Sequence, residues 1–292
     1  MLFPKLVRNG LLFLLAGVTA AMADSRAFKP ETALPEDASQ LVREAVQNEL
    51  NGEGKDHTHW RYHLHREDDR GSQDRDVIET KEGSLAKTLL INGRPLTPEQ
   101  RDLDQERMKK LVSDPNERAR RDRRVHQDEE KAHQLLKAIP DAFIFKYDGV
   151  EGNQVRLTFK PNANYTPTTR ELTVYHAMTG KIWIDQTARR LSRIEGQLFE
   201  NVNFGWGLLG HLEKGGTFRV VQQDVGGGHW STVQLDVNMQ GRAVIFKTLN
   251  VKQKESLTEF RRVPDDLSMA QAFGLLEKAA NTISANTQAG GN

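Results

Sequence analysis

The residues best placed for chemistry are four histidines in one short stretch, His57, His59, His63 and His65. With Arg61 they take one side of residues 57 to 66, while Trp60, Tyr62 and Leu64 take the other. That is the two-residue period of a half-buried strand. Side chains two apart on a strand lie about 6 to 7 Å from each other, so His-x-His can share a Zn²⁺ or Cu²⁺ ion. A complete site needs a third or fourth ligand, and outside this stretch neither His-Glu-x-x-His nor another histidine pair at ligand spacing occurs. The same pattern also describes a polar outer strand face, or one that charges near pH ~6.5. The expectation is a chain without a metal or other cofactor, in which these four histidines are the only candidate ligands.

The nucleophile-elbow and phosphate-loop signatures are missing. There is no Gly-x-Ser-x-Gly elbow, and neither Gly205-Trp206-Gly207 nor the run Gly226 to Gly228 has the flanking residues of a phosphate loop. The absence of Cys excludes thiol catalysis, disulfide scaffolds and thiolate metal sites. A non-enzymatic role is the simpler expectation.

The start of the chain reads as an export signal. Lys5 and Arg8 precede an apolar run from Leu11 to Ala21, and Ala21-Met22-Ala23 is a small-x-small cleavage site, so the mature chain is expected to begin at Asp24. The run is too short to span a bilayer, and no Cys follows it to carry acyl chains. Loss of Lys5 and Arg8 turns the formal charge of +1 into about −1, which gives no general attraction to nucleic acid or anionic membranes.

Around the histidine strand, Pro35 to Leu50 has the periodicity of an amphipathic helix, ended by Asn51-Gly52. Strands are expected at Asp76 to Thr80 and Leu85 to Ile91. A charged helical stretch follows, at about 98 to 138, opened by Thr97-Pro98-Glu99 and split at Pro115. Its eleven basic and ten acidic residues between Glu99 and Lys137 describe an internally paired, solvated face better than an anion patch around Arg118, Arg120, Arg121, Arg123 and Arg124.

From Ala142 onward the texture is β. Strands are expected at Ala142 to Tyr147, Gln154 to Lys160, Gly180 to Asp185, Leu191 to Val202, Thr217 to Asp224, His229 to Val237, Arg242 to Asn250 and Glu255 to Val263. Gly-containing turns at regular intervals, including Gln240-Gly241, join them as an antiparallel meander. Arg170 to Ala177 reads as a short helical insert, Ser268 to Ile283 as a closing helix and 286–292 as a flexible tail.

Gly180-Lys181-Ile182-Trp183-Ile184-Asp185 followed by Arg190-Leu191-Ser192-Arg193-Ile194-Glu195-Gly196 resembles the hairpin of bacterial outer-membrane lipoprotein-sorting proteins, the LolA/LolB-like and RseB-like group. Asn92 to Gln100, Phe204 to Gly210 with Lys214-Gly215, Gly227-Gly228-His229-Trp230 and Gly241 to Lys247 resemble the same group. The resemblance implies an α+β fold, a large curved antiparallel sheet or unclosed β-barrel with helices covering its concave face. It would be one domain over residues 24–285, with the charged stretch as an insertion.

It further implies a soluble periplasmic carrier of lipid acyl chains or lipoproteins, monomeric, with transient membrane contacts. Candidate lining residues are Trp60, Tyr62, Leu64, Phe143, Phe145, Leu157 and Phe159, each on an apolar strand face, with Phe204, Trp206, Leu208 and Leu209 in an unusually apolar turn. Ordinary core is the competing reading for all of the strand residues. The competing functions are an RseB-like sensor acting through protein contacts and a metal-dependent enzyme built on the histidine strand.

Overall fold

The computed structural model describes residues 34–53, 56–204, 210–243 and 247–278. The expected leader at residues 1–23 and the tail lie outside them. Helix α1 (Ala38–Glu53) begins one turn later than expected, because the Asp37 carboxylate accepts the backbone N–H of Ser39 at 2.9 Å and caps it there. Its buried stripe is Leu41, Val42, Ala45 and Val46. Asn51-Gly52 does not end it. A Cβ on Gly52 would come within 2.5 Å of the Arg190 guanidinium, so this glycine serves a close approach and not a left-handed cap.

Strands β1 (His59–Asp68), β2 (Gly71–Thr80), β3 (Gly83–Ile91) and the two-residue β4 (Arg94–Pro95) form a meander. Two helices follow. In α2 (Pro98–Ser113), Thr97 and Gln100 make a reciprocal capping box. Asp114 then caps α3 (Pro115–Ala142), accepting from the N–H groups of Asn116 and Glu117 at 2.8 and 3.2 Å. Pro115 therefore opens a helix as well as ending one. Pro140 lies inside the last turns of α3, where forfeiting one backbone N–H bond is outweighed by burial of Ile139, Pro140 and Ala142.

The rest is β5 (Phe143–Glu151), β6 (Gln154–Pro161), the short α4 (Arg170–Thr173) with a 3₁₀ turn (Val174–Ala177), β7 (Met178–Asp185) and β8 (Leu191–Leu198). Then come the side hairpin β9 (Val202–Phe204) and β10 (Gly210–Leu212), the strands β11 (Thr217–Asp224), β12 (Trp230–Ala243) and β13 (Lys247–Val263), and a terminal helix α5 over 269–278. Gln240-Gly241 is not a turn. It lies inside β12, where a Cβ on Gly241 would collide with the carbonyl of His211 in the neighbouring β10. Ala243 pairs with Lys247, so the strand expected at Arg242 to Asn250 is divided, its first two residues ending β12 and its last four, from Lys247, running on through Glu255 to Val263 as one strand bent by a bulge at Glu259 (φ 62°).

All thirteen strands belong to one antiparallel sheet, in the order β4-β3-β2-β1-β13-β12-β11-β8-β7-β6-β5, with β10 and β9 branching from β12. Its ends, β4 and β5, do not meet, so the sheet is unclosed. The main core packs α1 and the end of α3 (Leu135, Leu136, Ile139) against Tyr62, Val77, Leu157, Ile182 and Leu235 of the sheet. Helices do not stay on one face, however. Along β2 and β3 alternate residues turn outward, and Ile78 and Leu85 meet Met108 and Leu111 of α2 and Met269, Ala272 and Leu276 of α5 in a second cluster. Helix α3 joins the two sides, passing the β2–β3 turn where Asp122 faces Gly83. Among the described residues no helix is long and apolar enough to cross a membrane.

Candidate functional site

Where α3 crosses the sheet it roofs a cavity of about 1180 Å³. Asp122, Val125 and Glu129, which share one helical face, form the roof. The floor comes from the segment entering β1, the β2–β3 turn and the β11–β12 turn. Trp60 belongs both to this wall and to the main core, so the cavity adjoins the apolar interior.

Around Trp60 runs a chain of hydrogen bonds. Its indole N–H donates to Thr58 Oγ1 at 2.9 Å, the Thr58 hydroxyl donates to Asp56 Oδ1 at 2.6 Å, and Asp56 Oδ2 meets His229 Nδ1 in a very short contact. The imidazole of His229 stacks on the Trp60 ring, with centroids 5.1 Å apart. His229 is delivered by the β11–β12 turn, which Asp224 holds by accepting the N–H groups of Gly226 and Gly228 at 2.8 and 3.2 Å. Nε2 of His229 makes no hydrogen bond among the described residues, which leaves it available to a molecule in the cavity.

Glu79 completes the group by accepting the backbone N–H of Trp60 at 3.1 Å. Burial pushes its carboxyl up to about 7, and the nearby Asp56 adds to the rise. Asp56 behaves oppositely. Burial is the largest single influence on it and would raise it, but the hydrogen bonds from Thr58 and His229 together outweigh burial and hold it below the usual carboxylate range. Two carboxyl groups lining one cavity, one ahead of β1 and one on β2, are thus driven apart in acidity, the arrangement that separates an acid from a base.

The neighbouring end of α1 is clamped. Arg190 donates to both oxygens of the buried Glu49 at 2.7 Å, and the Leu191 N–H donates to the same carboxylate at 2.9 Å. The Arg190 guanidinium also lies 5.8 Å from the Trp230 ring centroid.

The four histidines do not converge. His57 and His59 line the cavity, whereas His63 and His65 both lean on Asp74 Oδ1, at 3.4 and 2.9 Å. Among the described residues no group of three His, Asp or Glu side chains could hold a metal. Trp60, Tyr62, Phe143, Phe145, Leu157 and Phe159 are all buried in the main core, with Phe143 and Phe159 rings 4.8 Å apart, and Leu64 packs against its rim. Side chains of α1 and α3 occupy the space next to them. Phe204 also packs against that core, and Trp206, Leu208 and Leu209 lie outside the described residues.

The Arg-rich stretch is internally satisfied where its contacts are seen. Arg118 donates to the last carbonyls of α2 at 3.0 and 2.7 Å, and Arg120 bonds Glu117 at 2.6 Å. A Ser-x-x-Lys match at Ser84 to Lys87 lies on β3, where residues three apart point to opposite faces, and Lys87 is held by Glu277 at 2.6 Å. Sequence reasoning passed over Asp56, Thr58 and Glu79. Asp56 and His229 lie 173 positions apart, and only the sheet unites them. The one local signal was the Gly226 to Gly228 run ahead of His229. The sequence matches no protein-family model and no curated protein.

Proposed function

We propose that this protein is a periplasmic binder or carrier of lipid or acylated protein, with the ligand's acyl part in the sheet-and-helix interior and its polar end in the cavity under α3. The observation that carries this reading is the continuity of the two regions at Trp60, a side chain of both the apolar core and the polar cavity wall. An unclosed sheet covered by helices supports it, because α1 can lift from an apolar sheet face without breaking a strand ladder. Each buried methylene of a ligand would contribute about 0.8 kcal/mol, so displacing α1 from part of that face is within reach of one long chain.

The test is native mass spectrometry of the exported protein, with titration of a fluorescent long-chain fatty acid. Co-purified lipid and saturable binding, increased in Glu49→Gln where α1 is unclamped, are expected. A lipid-free protein whose Glu49→Gln form also ignores the probe would overturn the reading.

A second reading rests on the Asp56–His229 contact. An imidazole oriented through Nδ1 with Nε2 available can take a proton from water, and a carboxyl near neutrality such as Glu79 can return one to a leaving group. Hydrolysis of a nitrophenyl acyl ester that disappears in both His229→Ala and Glu79→Gln would favour it, and binding without turnover would reject it.

A further inference from the structure

About 20 Å farther along β1 from Trp60, at the closed end of the β1–β2 hairpin, lies a second cavity of a different character. It measures about 300 Å³ and is lined by Arg66, Asp68 and Arg70 from β1 and the turn, and by Gln73 and Arg75 from β2. The pairing of Arg66 with Gln73 and of Leu64 with Arg75 puts these β2 side chains on the face they share with Arg66.

Three guanidinium groups there answer to few carboxylates. Arg70 reaches Asp68 at 2.7 Å, and Arg66 lies 3.7 Å from Asp68 and 3.3 Å from Glu255. Arg75 has no ion-pair partner among the described residues. Its hydrogen bond goes to the neutral Gln73 side chain, and its Nε is buried without a partner. Burial, the largest influence, weighs against its charge together with the neighbouring Arg107 and Arg66, and the more distant carboxylates Asp104 and Glu255 favour it without making up the difference. Glu255, the buried carboxylate behind Arg66, is itself pushed up to about 7 by burial, so it only partly offsets the excess at neutral pH.

A partly buried guanidinium with an unsatisfied donor is costly, and native proteins resolve that cost with a counter-ion. Guanidinium forks match the oxygens of a phosphate-type anion. We infer that the end of the β1–β2 hairpin is a binding site for a phosphate-type oxyanion, held by Arg75 and Arg66 with Arg70 at the rim. A volume of about 300 Å³ admits one phosphoryl group with water, and its lining of charged and polar side chains suits such a group. The site does not depend on the carrier reading. The phosphoryl group could be free phosphate or the phosphodiester of a lipid headgroup.

The experiment titrates inorganic phosphate into the full chain by calorimetry and thermal melting, with chloride at equal ionic strength as control. In parallel, the chain is floated with phosphatidylglycerol or phosphatidylcholine vesicles. Saturable phosphate binding that raises the melting temperature, and weakens at least about tenfold in Arg75→Gln, upholds the site with a soluble ligand. Retention on phosphatidylglycerol vesicles alone, lost in Arg75→Gln, upholds it with a lipid headgroup. Should Arg75→Gln fail to fold, Arg70→Gln, altered at an 84% exposed side chain, should still lose about threefold. No saturable response to either probe, or equal responses in wild type and the arginine variants, overturns the inference.

Discussion

The sheet face under α1 and the neighbouring face under the first half of α3 differ in one respect, the side chains their helices turn toward it. Helix α1 presents Leu41, Val42, Ala45 and Val46, and the space beneath is filled. Helix α3 presents Asp122, Val125 and Glu129, and a cavity of about 1180 Å³ remains. Carboxylates cannot be pressed onto Trp60 without losing their water, so the roof stands off where the α1 stripe sinks in. The same helix confirms the rule farther on, since Leu135, Leu136 and Ile139 of α3 rejoin the core. A helix's charge pattern thus decides where this sheet is packed and where it is hollow.

The strongest test of that contrast is truncation on each side. Leu157→Ala, at a fully buried site, should cost about 3 kcal/mol in urea unfolding, whereas Val125→Ala in the roof should cost under about 1. Equal losses would mean that the roof is packed like α1.

A comparable effect is expected at the clamp between the two regions. Glu49→Gln leaves Arg190 without its carboxylate and should destabilise by about 3 kcal/mol, with faster hydrogen exchange along α1 but not along α2.

The polar side should also respond to pH. Glu79 has a folded value of about 7 against an ordinary 4.5, so the folded protein binds more protons than the unfolded chain between those limits. Stability should therefore fall as pH rises from 4.5 to 7 and level off above that. Glu79→Gln should remove on the order of 3 kcal/mol of this pH dependence, and Glu255, raised to the same value, should keep a comparable part. A pH-independent difference between wild type and variant would contradict the burial of Glu79. The smallest effect belongs to Asp122→Ala, within about 0.5 kcal/mol because its carboxylate only borders the cavity.

Much of the scaffold was legible. The bounds of β11 and the cap at Thr97 follow from local chemistry, glycine turns on either side of one and a capping Thr ahead of Pro98 in the other, and both stand as expected. The errors share a cause. Gly52 and Gly241 look like turn residues because glycine is read as conformational freedom, yet both are required by something distant in sequence, the Arg190 side chain and the His211 carbonyl. The histidine strand was correctly placed as a strand, but where each pair goes was not legible, because alternation fixes the face of a side chain and not its partner. Asp74 takes two of those histidines, and Asp56 recruits a fifth, His229, from the far end of the chain.

The sequence by itself determined the large antiparallel sheet, the helices that cover it and the lack of a thiol site, because periodicity, caps and composition act within a few residues. Only the tertiary structure decided that helices take both faces, that the aromatic strand residues are core, and that Trp60, Asp56, Glu79 and His229 share a cavity. Those outcomes depend on register between strands far apart in the chain and on which helical stripe meets the sheet, and neither is encoded in any local window.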